Sequence, residues 1–333
     1  MKDATPPLGP HTGPILVTGA AGFIGANVCR NLLEKGCEVV GVDNLNNYYD
    51  VALKHHRLQA LHQHADFQFQ QLELADQPAV SRLFGEFRFD VVIHLAAQAG
   101  VRFSIQNPNA YIQSNVVAFQ TILEGCRLHR PKHLVFASSS SVYGNSKKIV
   151  FSEADATDDP ISLYAATKKS NEVVGHSYAK LYGIPTTGLR LFTVYGPAGR
   201  PDMAYFDFTR AILAGEPIRV FNKGNLMRDF TYIDDIVRGV TGACNAAPTE
   251  LEIPYRLLNL GNNQPVKLGY FIETLEQLLG REAIKDFVGM QPGDVQKTCA
   301  NIDAARALIG FEPAIGIEEG LRRFVAWYQA YYK

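Results

Sequence analysis

The sequence predicts an α/β protein with a doubly wound parallel sheet and a smaller, mixed α/β second domain. Three observations lead to this prediction: short apolar segments alternate with helical patterns, a glycine-rich turn follows the first of these segments, and the chain has 333 residues. That length suits about two domains or one large one. Strands buried on both faces are apolar throughout, and parallel strands need crossover helices.

Short segments rich in Val, Ile, Leu and Phe predict the first five strands, at 15–18, 38–43, 67–71, 90–94 and 133–138. Stretches with helical spacing lie between them, most clearly at 23–36 and 108–128. A longer helix is predicted at 163–182, because Gly183 and Pro185 end the helical pattern there. A sixth strand follows at 186–192. Strand–helix alternation on this scale is typical of βαβ units.

The regular alternation stops after the sixth strand. The remaining patterns predict helices at 205–214, 233–246, 268–279 and 317–332, and shorter strands at 218–221 and 256–259. We therefore expect the main sheet domain to occupy 13–189, with a return at about 229–263. The second domain is expected to consist of 190–228 and 264–333.

The composition excludes several classes of protein. Hydrophobic residues make up 47% and charged residues 20%, as in ordinary globular chains, and the net charge is −1. We therefore expect no nucleic-acid partner and no membrane partner, since neither a basic surface nor an apolar run of membrane-spanning length is present. The polar start, 1–14, lacks the apolar core of a secretory signal. Five scattered cysteines predict reduced thiols and a cytoplasmic location: Cys29, Cys37, Cys126, Cys244 and Cys299.

A glycine-rich turn follows the first predicted strand and opens the first helix. Gly19, Gly22 and Gly25 have the spacing G-x-x-G-x-x-G. Glycines let a phosphate approach the free N–H groups at a helix N-terminus. The triplet alone could be an ordinary tight turn, but the strand before it and the helix after it predict a nucleotide site.

The second predicted strand ends at Asp43. A carboxylate there accepts hydrogen bonds from the adenosine ribose hydroxyls and repels a 2′-phosphate, so it favours NAD over NADP. The alternative is a turn aspartate, since Asn44 and Asn46 follow it.

Tyr164 and Lys168 lie four positions apart on the predicted helix 163–182, and so share one face. An ammonium near a phenol, beside a positively charged nicotinamide, favours the phenolate, which makes Tyr164 a candidate base. By itself the pair could be a surface pair. The serine run 138–141, just past the fifth strand, changes this interpretation because strand ends line the ligand crevice of such sheets.

In these motifs the sequence resembles the extended short-chain dehydrogenase/reductase family and, within it, the nucleotide-sugar epimerases that act on UDP-glucuronate. The resemblance extends from about Pro14 to Tyr332, and its most specific stretches are 18–25, 43–50, 94–102, 191–204 and 227–235. Two positions differ from that subgroup. Ala198 stands where a Trp is usual, and Glu73-Leu74 replaces Asp-Leu or Asp-Ile at the end of the third strand.

The resemblance implies a Rossmann-type fold, NAD as the cofactor, and a Ser–Tyr–Lys catalytic set. That set would be Tyr164 and Lys168 with Ser139, Ser140 and Ser141. The cofactor residues would be Gly19, Gly22, Phe23, Ile24, Gly25, Asp43, Asn44, Asn46, Glu73, Leu74, Leu95, Ala96, Ala97, Tyr164 and Lys168.

The resemblance also implies a site for a UDP-sugar. Its residues would be Arg102, Thr193, Arg200, Ile218, Val220, Arg228 and Asp294. Thr193 and Arg200 would lie near the sugar carboxylate, Arg228 on the diphosphate and Asp294 on the uridine ribose, while the strand 218–221 would frame the uracil. Without the resemblance, Arg228 could pair with Asp229 or Asp235, and Asp294 could cap a turn.

The implied activity is 4-epimerisation of UDP-glucuronate through a 4-keto sugar. Positions 139–141 carry no acid, whereas related dehydratases and decarboxylases have one there. The alternatives are a 4-epimerase for a neutral or N-acetylated UDP-hexose, and a catalytically silent NAD-binding regulator. By analogy we expect a homodimer through helices 108–128 and 163–182. No metal is expected, since His55, His56, His62 and His64 look like a solvated helix face.

Overall fold

A computed structural model describes residues 13–289 and 297–333 of the chain. The strands are β1 (Ile15–Thr18), β2 (Val39–Asp43), β3 (Phe67–Gln71), β4 (Val91–His94), β5 (His133–Ser139), β6 (Thr186–Leu191), β7 (Thr193–Tyr195), β8 (Ile218–Val220), β9 (Met227–Arg228), β10 (Phe230–Tyr232), β11 (Tyr255–Leu260), β12 (Val266–Lys267) and β13 (Lys285–Phe287).

The α-helices are α1 (Phe23–Glu34), α2 (Val51–Leu61), α3 (Gln77–Glu86), α4 (Val101–Gln106), α5 (Pro108–Tyr111), α6 (Ala118–His129), α7 (Leu163–Tyr182), α8 (Ala204–Ala214), α9 (Ile233–Cys244), α10 (Leu268–Leu279), α11 (Asp303–Ile309) and α12 (Ile317–Tyr331). A π-helical turn spans Ile112–Val117, and 3-10 turns span Ser140–Tyr143 and Phe221–Gly224.

Seven strands form one parallel sheet in the order β3-β2-β1-β4-β5-β6-β11. Ile15 of β1 lies opposite Val39 of β2 on one side and Val91 of β4 on the other. The strand order therefore reverses between β1 and β4. In an open α/β sheet, ligands bind in the crevice beyond the carboxyl ends of the strands at such a reversal.

Helices cover both faces of this sheet. Successive residues of β1 point to opposite faces, so Leu16 packs with α3 and α6, while Ile15 and Val17 pack with α1, α2 and α9. All three side chains are fully buried. The core on the side of Ile15 and Val17 continues into the aromatic core of the later part of the chain, around Tyr205 and Phe324. The two ends of the chain therefore share one core.

The predicted doubly wound sheet is confirmed. The bounds predicted for β1, β3, α7 and α10 match, and most others differ by one or two residues. The single helix predicted at 108–128 is interrupted, because the π-helical turn between α5 and α6 inserts an extra residue into the hydrogen-bond ladder. Strand β11, within the predicted return at 229–263, is the seventh strand of the main sheet. The division into two domains stays a prediction.

Three small sheets follow β6 along the chain. β7 pairs with β10 and β8 with β13, both in parallel, and β9 pairs with β12 in antiparallel. The strands of these sheets carry three of the expected substrate residues: Thr193 in β7, Ile218 in β8 and Arg228 in β9. Across the described ranges, the helices are all too short or too polar to cross a membrane.

Candidate active site

The glycine turn lies at the reversal of strand order. It connects β1 to α1, and its first residue, Gly19, packs against the segment that follows β4. A Cβ atom on Gly19 would lie 2.9 Å from the amide nitrogen of Ala96, and Gly19 has a φ of +72°. Leu95 and Ala96 are thereby brought beside the turn.

The N-terminus of α1 is open to an anion. Gly22 precedes the helix and makes no side-chain cap, and the first turn, which begins with Phe23 and Ile24, contains no acidic residue. Free N–H groups and the helix dipole therefore point into the crevice. A Cβ atom on Gly25 would lie 2.7 Å from the carbonyl carbon of Gly19, so this close packing requires glycine. These features fit a dinucleotide pyrophosphate.

Asp43 ends β2 and is 8% exposed. Its Oδ1 accepts a hydrogen bond from the Leu45 amide at 2.8 Å, and its Oδ2 accepts one from the Ala21 amide at 3.3 Å. This position beside the glycine turn fits an adenosine ribose. Its immediate neighbour along the chain, Asn44, donates to Glu73 Oε2 at 2.8 Å.

Two buried cations of α2 were missed from the sequence. Lys54 Nζ lies 3.4 Å from Asp43 Oδ1 and 3.3 Å from Asn46 Oδ1. Arg57, one turn further on, donates to Ala21 O in the glycine turn at 2.9 Å. The histidines of α2 made this helix look solvated. The three-residue spacing of Lys54 and Arg57, on one helix face, was the available signal.

The proposed catalytic residues lie at the carboxyl end of β5. Burial raises the pKa of Tyr164, and the neighbouring Ser139 side chain and the positive charge of Arg200 partly offset this rise. Lys168 lies one turn along α7, 2% exposed, and donates to the Ala137 carbonyl at 2.8 Å. Burial lowers the pKa of Lys168 to about 8. Arg200 is thus a second cation near the phenol, in addition to Lys168, to which the sequence pointed.

The four serines of the run do not share one environment. Ser138 donates to Glu172 Oε1 at 2.6 Å, and Glu172 in turn forms a buried ion pair with Arg190. Ser139 Oγ accepts from the Ser141 amide at 3.2 Å. Ser140 and Ser141 begin the 3-10 turn and are half-buried at the crevice. Three of the serines can therefore face a ligand.

Asn115 was not found from the sequence. It lies in the π-helical turn, fully buried, and its Oδ1 accepts from the Gln98 amide at 2.8 Å. Its Nδ2 donates to Gln98 O and to Thr167 Oγ1, each at 3.0 Å. Since Thr167 precedes Lys168, this one side chain ties the segment after β4 to the helix that carries Tyr164.

The expected sugar side of the crevice contains an ion pair. Arg200 donates from Nε to Asp202 Oδ1 at 3.0 Å and from Nη2 to Oδ2 at 2.6 Å. Tyr48 also donates to Asp202, at 3.1 Å. Burial alone would raise the pKa of Asp202, but the guanidinium holds it below its usual value. One bidentate edge of Arg200 is therefore already occupied by a carboxylate of the chain itself.

The other expected substrate residues lie on α4 and on the strands of the small sheets. Thr193 is half-buried in β7. Arg102 is exposed on α4, with its guanidinium 4.9 Å from the Phe221 ring centroid. Ile218 and Val220 are buried in the core, and β8 pairs with β13.

Arg228 is partly buried in β9 and donates from Nη1 to Met227 O at 3.0 Å. Its two candidate partners from the sequence have several contacts of their own. Asp229 accepts from the Asn262, Asn263 and Ala300 amides, and Asp235 is bonded to Arg238 and the amides of 314–315. Asp294 lies outside the described residues.

Comparison with known proteins decides the family. A profile described as the NAD dependent epimerase/dehydratase family matches residues 15–260. The chain belongs to this family. A protein from Rhizobium meliloti (strain 1021) named probable UDP-glucuronate 4-epimerase is 46% identical over 96% of this chain and 97% of its own length.

Two solved structures extend the comparison. The UDP-glucuronic acid 4-epimerase from Bacillus cereus, in complex with UDP-glucuronic acid and NAD, is 35% identical with a TM-score of 0.89, covering 96% of this chain and 100% of that one. The UDP-glucose 4-epimerase from Thermotoga maritima, with UDP-glucose, is 30% identical with a TM-score of 0.84, covering 96% and 100%.

Membership in the NAD-dependent epimerase/dehydratase family confirms the resemblance seen in the motifs, the predicted fold and the NAD prediction. Within residues 13–289 and 297–333, no three His, Cys, Asp or Glu residues are grouped so that they could hold a metal ion. The roles of the individual side chains stay predictions.

Proposed function

We propose that this chain catalyses the NAD-dependent 4-epimerisation of UDP-glucuronate to UDP-galacturonate. The observation that carries the proposal is the position of the Arg200–Asp202 pair near Tyr164. A Cβ atom on Gly100 would lie 3.6 Å from both Asp202 Oδ2 and Tyr111 Oη, and the Tyr111 ring lies 6.2 Å from the Tyr164 ring. A cation beside the proposed proton acceptor suits a sugar whose C5 carries a carboxylate. The similarity to the Rhizobium and Bacillus proteins over nearly the whole chain supports the same substrate.

The chain's own residues would move and hold the proton. NAD, when bound, would supply the acceptor and donor of the hydride at C4 of the sugar. Tyr164 would act as the phenolate, a form favoured by the nearby cations and by a positively charged nicotinamide. It would take the proton of the 4-hydroxyl and return it after the 4-keto sugar has turned its opposite face to the site. Ser139, whose side chain neighbours Tyr164, would hold the sugar oxygen on which that proton is exchanged.

A second task of the site would be to prevent loss of CO₂. The 4-keto sugar with a C5 carboxylate is a β-keto acid, and it decarboxylates when the breaking C–C bond aligns with the carbonyl π system. An arginine that binds the carboxylate can hold it out of that alignment. Arg200 is the proposed residue, and the substrate carboxylate would either use its remaining Nη1 or replace Asp202 on the bidentate edge.

One observation favours the alternative of a neutral UDP-hexose. The Asp202 carboxylate already balances the charge of Arg200, so a substrate without a carboxylate leaves no unpaired cation in the site. The Thermotoga protein, which is similar over its whole length, is a UDP-glucose 4-epimerase. A silent regulator is less well supported, because Ser139, Tyr164 and Lys168 are all present.

The test is to incubate the purified protein with UDP-glucuronate, UDP-glucose and UDP-N-acetylglucosamine and to identify the products by NMR. We expect UDP-galacturonate from the first at a rate well above that of the other two. Faster conversion of a neutral sugar would establish the alternative, and no conversion of any would favour the regulator.

We also propose a homodimer through α6 and α7. Leu128, Val173 and Leu181 on these helices are large apolar side chains, 59%, 56% and 68% exposed. An apolar surface of this kind is typical of an interface between subunits. Light scattering should give the dimer mass, and Val173→Asp should give the monomer. A native monomer at micromolar concentration would contradict the proposal.

A cytoplasmic location is proposed on the state of the cysteines. All five are free thiols. Free, mostly buried thiols are typical of proteins from a reducing compartment.

A further inference from the structure

One buried arginine joins the two halves of the crevice. Arg57, on α2, is 5% exposed and makes five hydrogen bonds. Nη1 donates to Ala21 O at 2.9 Å and to Tyr49 Oη at 2.7 Å. Nε and Nη2 both donate to Ala198 O, at 3.0 and 2.7 Å, and Nη2 also donates to Gly199 O at 3.1 Å.

The carbonyls that Arg57 holds belong to the two loops on which ligands would lie. Ala21 is inside the glycine turn, between Gly19 and Gly22, where the pyrophosphate fits. Ala198 and Gly199 directly precede Arg200, the proposed carboxylate ligand. A displacement of either loop therefore changes the geometry at the same guanidinium.

The sugar-side loop depends on this support. Ala198 has a φ of +53°, a left-handed conformation that disfavours residues other than glycine. Such a conformation persists only where the surrounding structure holds it, and here two N–H groups of one side chain converge on the Ala198 carbonyl. The planar fork of Arg can bind several carbonyls at fixed angles, whereas the ammonium of Lys cannot.

We propose that Arg57 is a positioning residue that couples the cofactor site to the sugar site. When the glycine turn is fixed by NAD, Arg57 fixes the 198–200 loop for the UDP-sugar, and a bound UDP-sugar fixes the glycine turn in return. Because such coupling is reciprocal, each ligand tightens the other by the same factor. The inference rests on the proposed function only for the identity of the sugar.

The test compares Arg57→Lys, which keeps the charge and loses the fork, with the matched control Arg82→Lys, an exposed arginine of α3. Both are made in a Tyr164→Phe background, so that ligands bind without turnover. The Kd of NAD for NAD-depleted protein is measured by calorimetry with and without saturating UDP-glucuronate. We expect UDP-glucuronate to tighten NAD binding at least about fivefold in the background protein and in the control.

In Arg57→Lys we expect this factor to fall at least threefold, with a smaller change in the Kd of NAD alone. The reciprocal titration, of UDP-glucuronate with and without NAD, should give the same factor. An unchanged factor in Arg57→Lys would overturn the coupling, whereas conversion of UDP-glucuronate by the native protein would leave the proposed function intact. If the native protein converts only another UDP-sugar, the proposed function fails and that sugar is used in the same titrations.

A second variant keeps the inference testable if Arg57→Lys does not fold. Ala198→Gly leaves Arg57 in place and relaxes the left-handed residue that it holds, so the loop becomes less ordered. We expect the coupling factor to fall in this variant too, by less than in Arg57→Lys. Full coupling in Ala198→Gly, with Arg57→Lys unfolded, would show that the order of this loop does not carry the effect and would overturn the inference.

Discussion

Asp43→Asn should lower both the stability of the protein and its preference for NAD over NADP. Asp43 is 8% exposed, and its carboxylate faces the Lys54 ammonium at 3.4 Å as well as the Ala21 and Leu45 amides. The amide keeps the shape of the side chain but removes its charge. Lys54, 4% exposed, then keeps Asn46 Oδ1 as an acceptor but no carboxylate.

The loss of stability follows from this unbalanced cation. Removing one partner of a buried ion pair costs about 3–5 kcal/mol, because the other charge stays buried. At roughly 2–4 °C per kcal/mol for a large domain, Tm should fall by roughly 6–20 °C. The preference for NAD should fall separately, since a neutral amide no longer repels a 2′-phosphate.

A double variant separates the two roles. In Asp43→Asn/Lys54→Met the buried cation is gone, so most of the lost stability should return, while the ribose still meets an amide and the NAD preference should stay low. Calorimetry gives Tm, and titration of each protein with NAD and NADP gives the preference. An unchanged Tm in Asp43→Asn would show that Lys54 does not depend on Asp43. A double variant that regains the NAD preference would place ribose recognition elsewhere.

Three further predictions concern the catalytic and buried groups. Tyr164→Phe should lower turnover of UDP-glucuronate roughly 10²–10⁴-fold because its proton acceptor is lost, and near-native turnover by the folded variant would contradict that role. Arg200→Ala should lower turnover of UDP-glucuronate roughly ten- to hundredfold, since a charge-assisted bond contributes about 1.5–3 kcal/mol, and should lower turnover of UDP-glucose far less. The variant should also release more decarboxylated sugar. Equal losses on both sugars would instead assign Arg200 to loop support. Burial lowers the pKa of His94 to about 3 and that of His133 to about 4, from the ordinary value of 6.5. Below pH 6.5 the unfolded chain therefore binds more protons than the folded one, and the free energy of unfolding decreases as the pH is lowered. Urea unfolding at pH 7 and pH 5 should show a loss of about 2 kcal/mol per histidine, His133→Gln should lose about half of this dependence, and a flat profile would contradict the neutral buried state of both.

The fold could be predicted because its signals are local. The segments 15–18 and 67–71 were found with correct bounds, since short apolar runs between helical patterns have few other interpretations. α7 ends where Gly183 adopts a left-handed conformation with a φ of +64°. Gly280 ends α10 in the same way. A glycine at such a position ends a helix independently of tertiary packing.

The parts of the site that were missed depend on contacts between distant segments. The π-helical turn places Asn115 against Gln98 and Thr167, and no local pattern indicates it. Lys54 and Arg57 look like the polar face of a surface helix, since a charged residue is almost never buried without a partner. Their partners, Asp43 and the carbonyls of 198–199, come from other parts of the chain.

The charges of the crevice explain why the net charge of −1 carried no information about it. Four cations near the proposed ligands are matched within the fold: Lys54 by Asp43, Arg57 and Lys168 by backbone carbonyls, and Arg200 by Asp202. A carboxylate ligand on the bidentate edge of Arg200 must therefore compete with one that is already present. An anion that offers only its charge gains little binding energy by replacing Asp202 on Arg200. A sugar that is bound at several other points can replace Asp202, because those contacts hold its carboxylate at the guanidinium. Selection of a uronate would then depend on the position of its carboxylate more than on its charge.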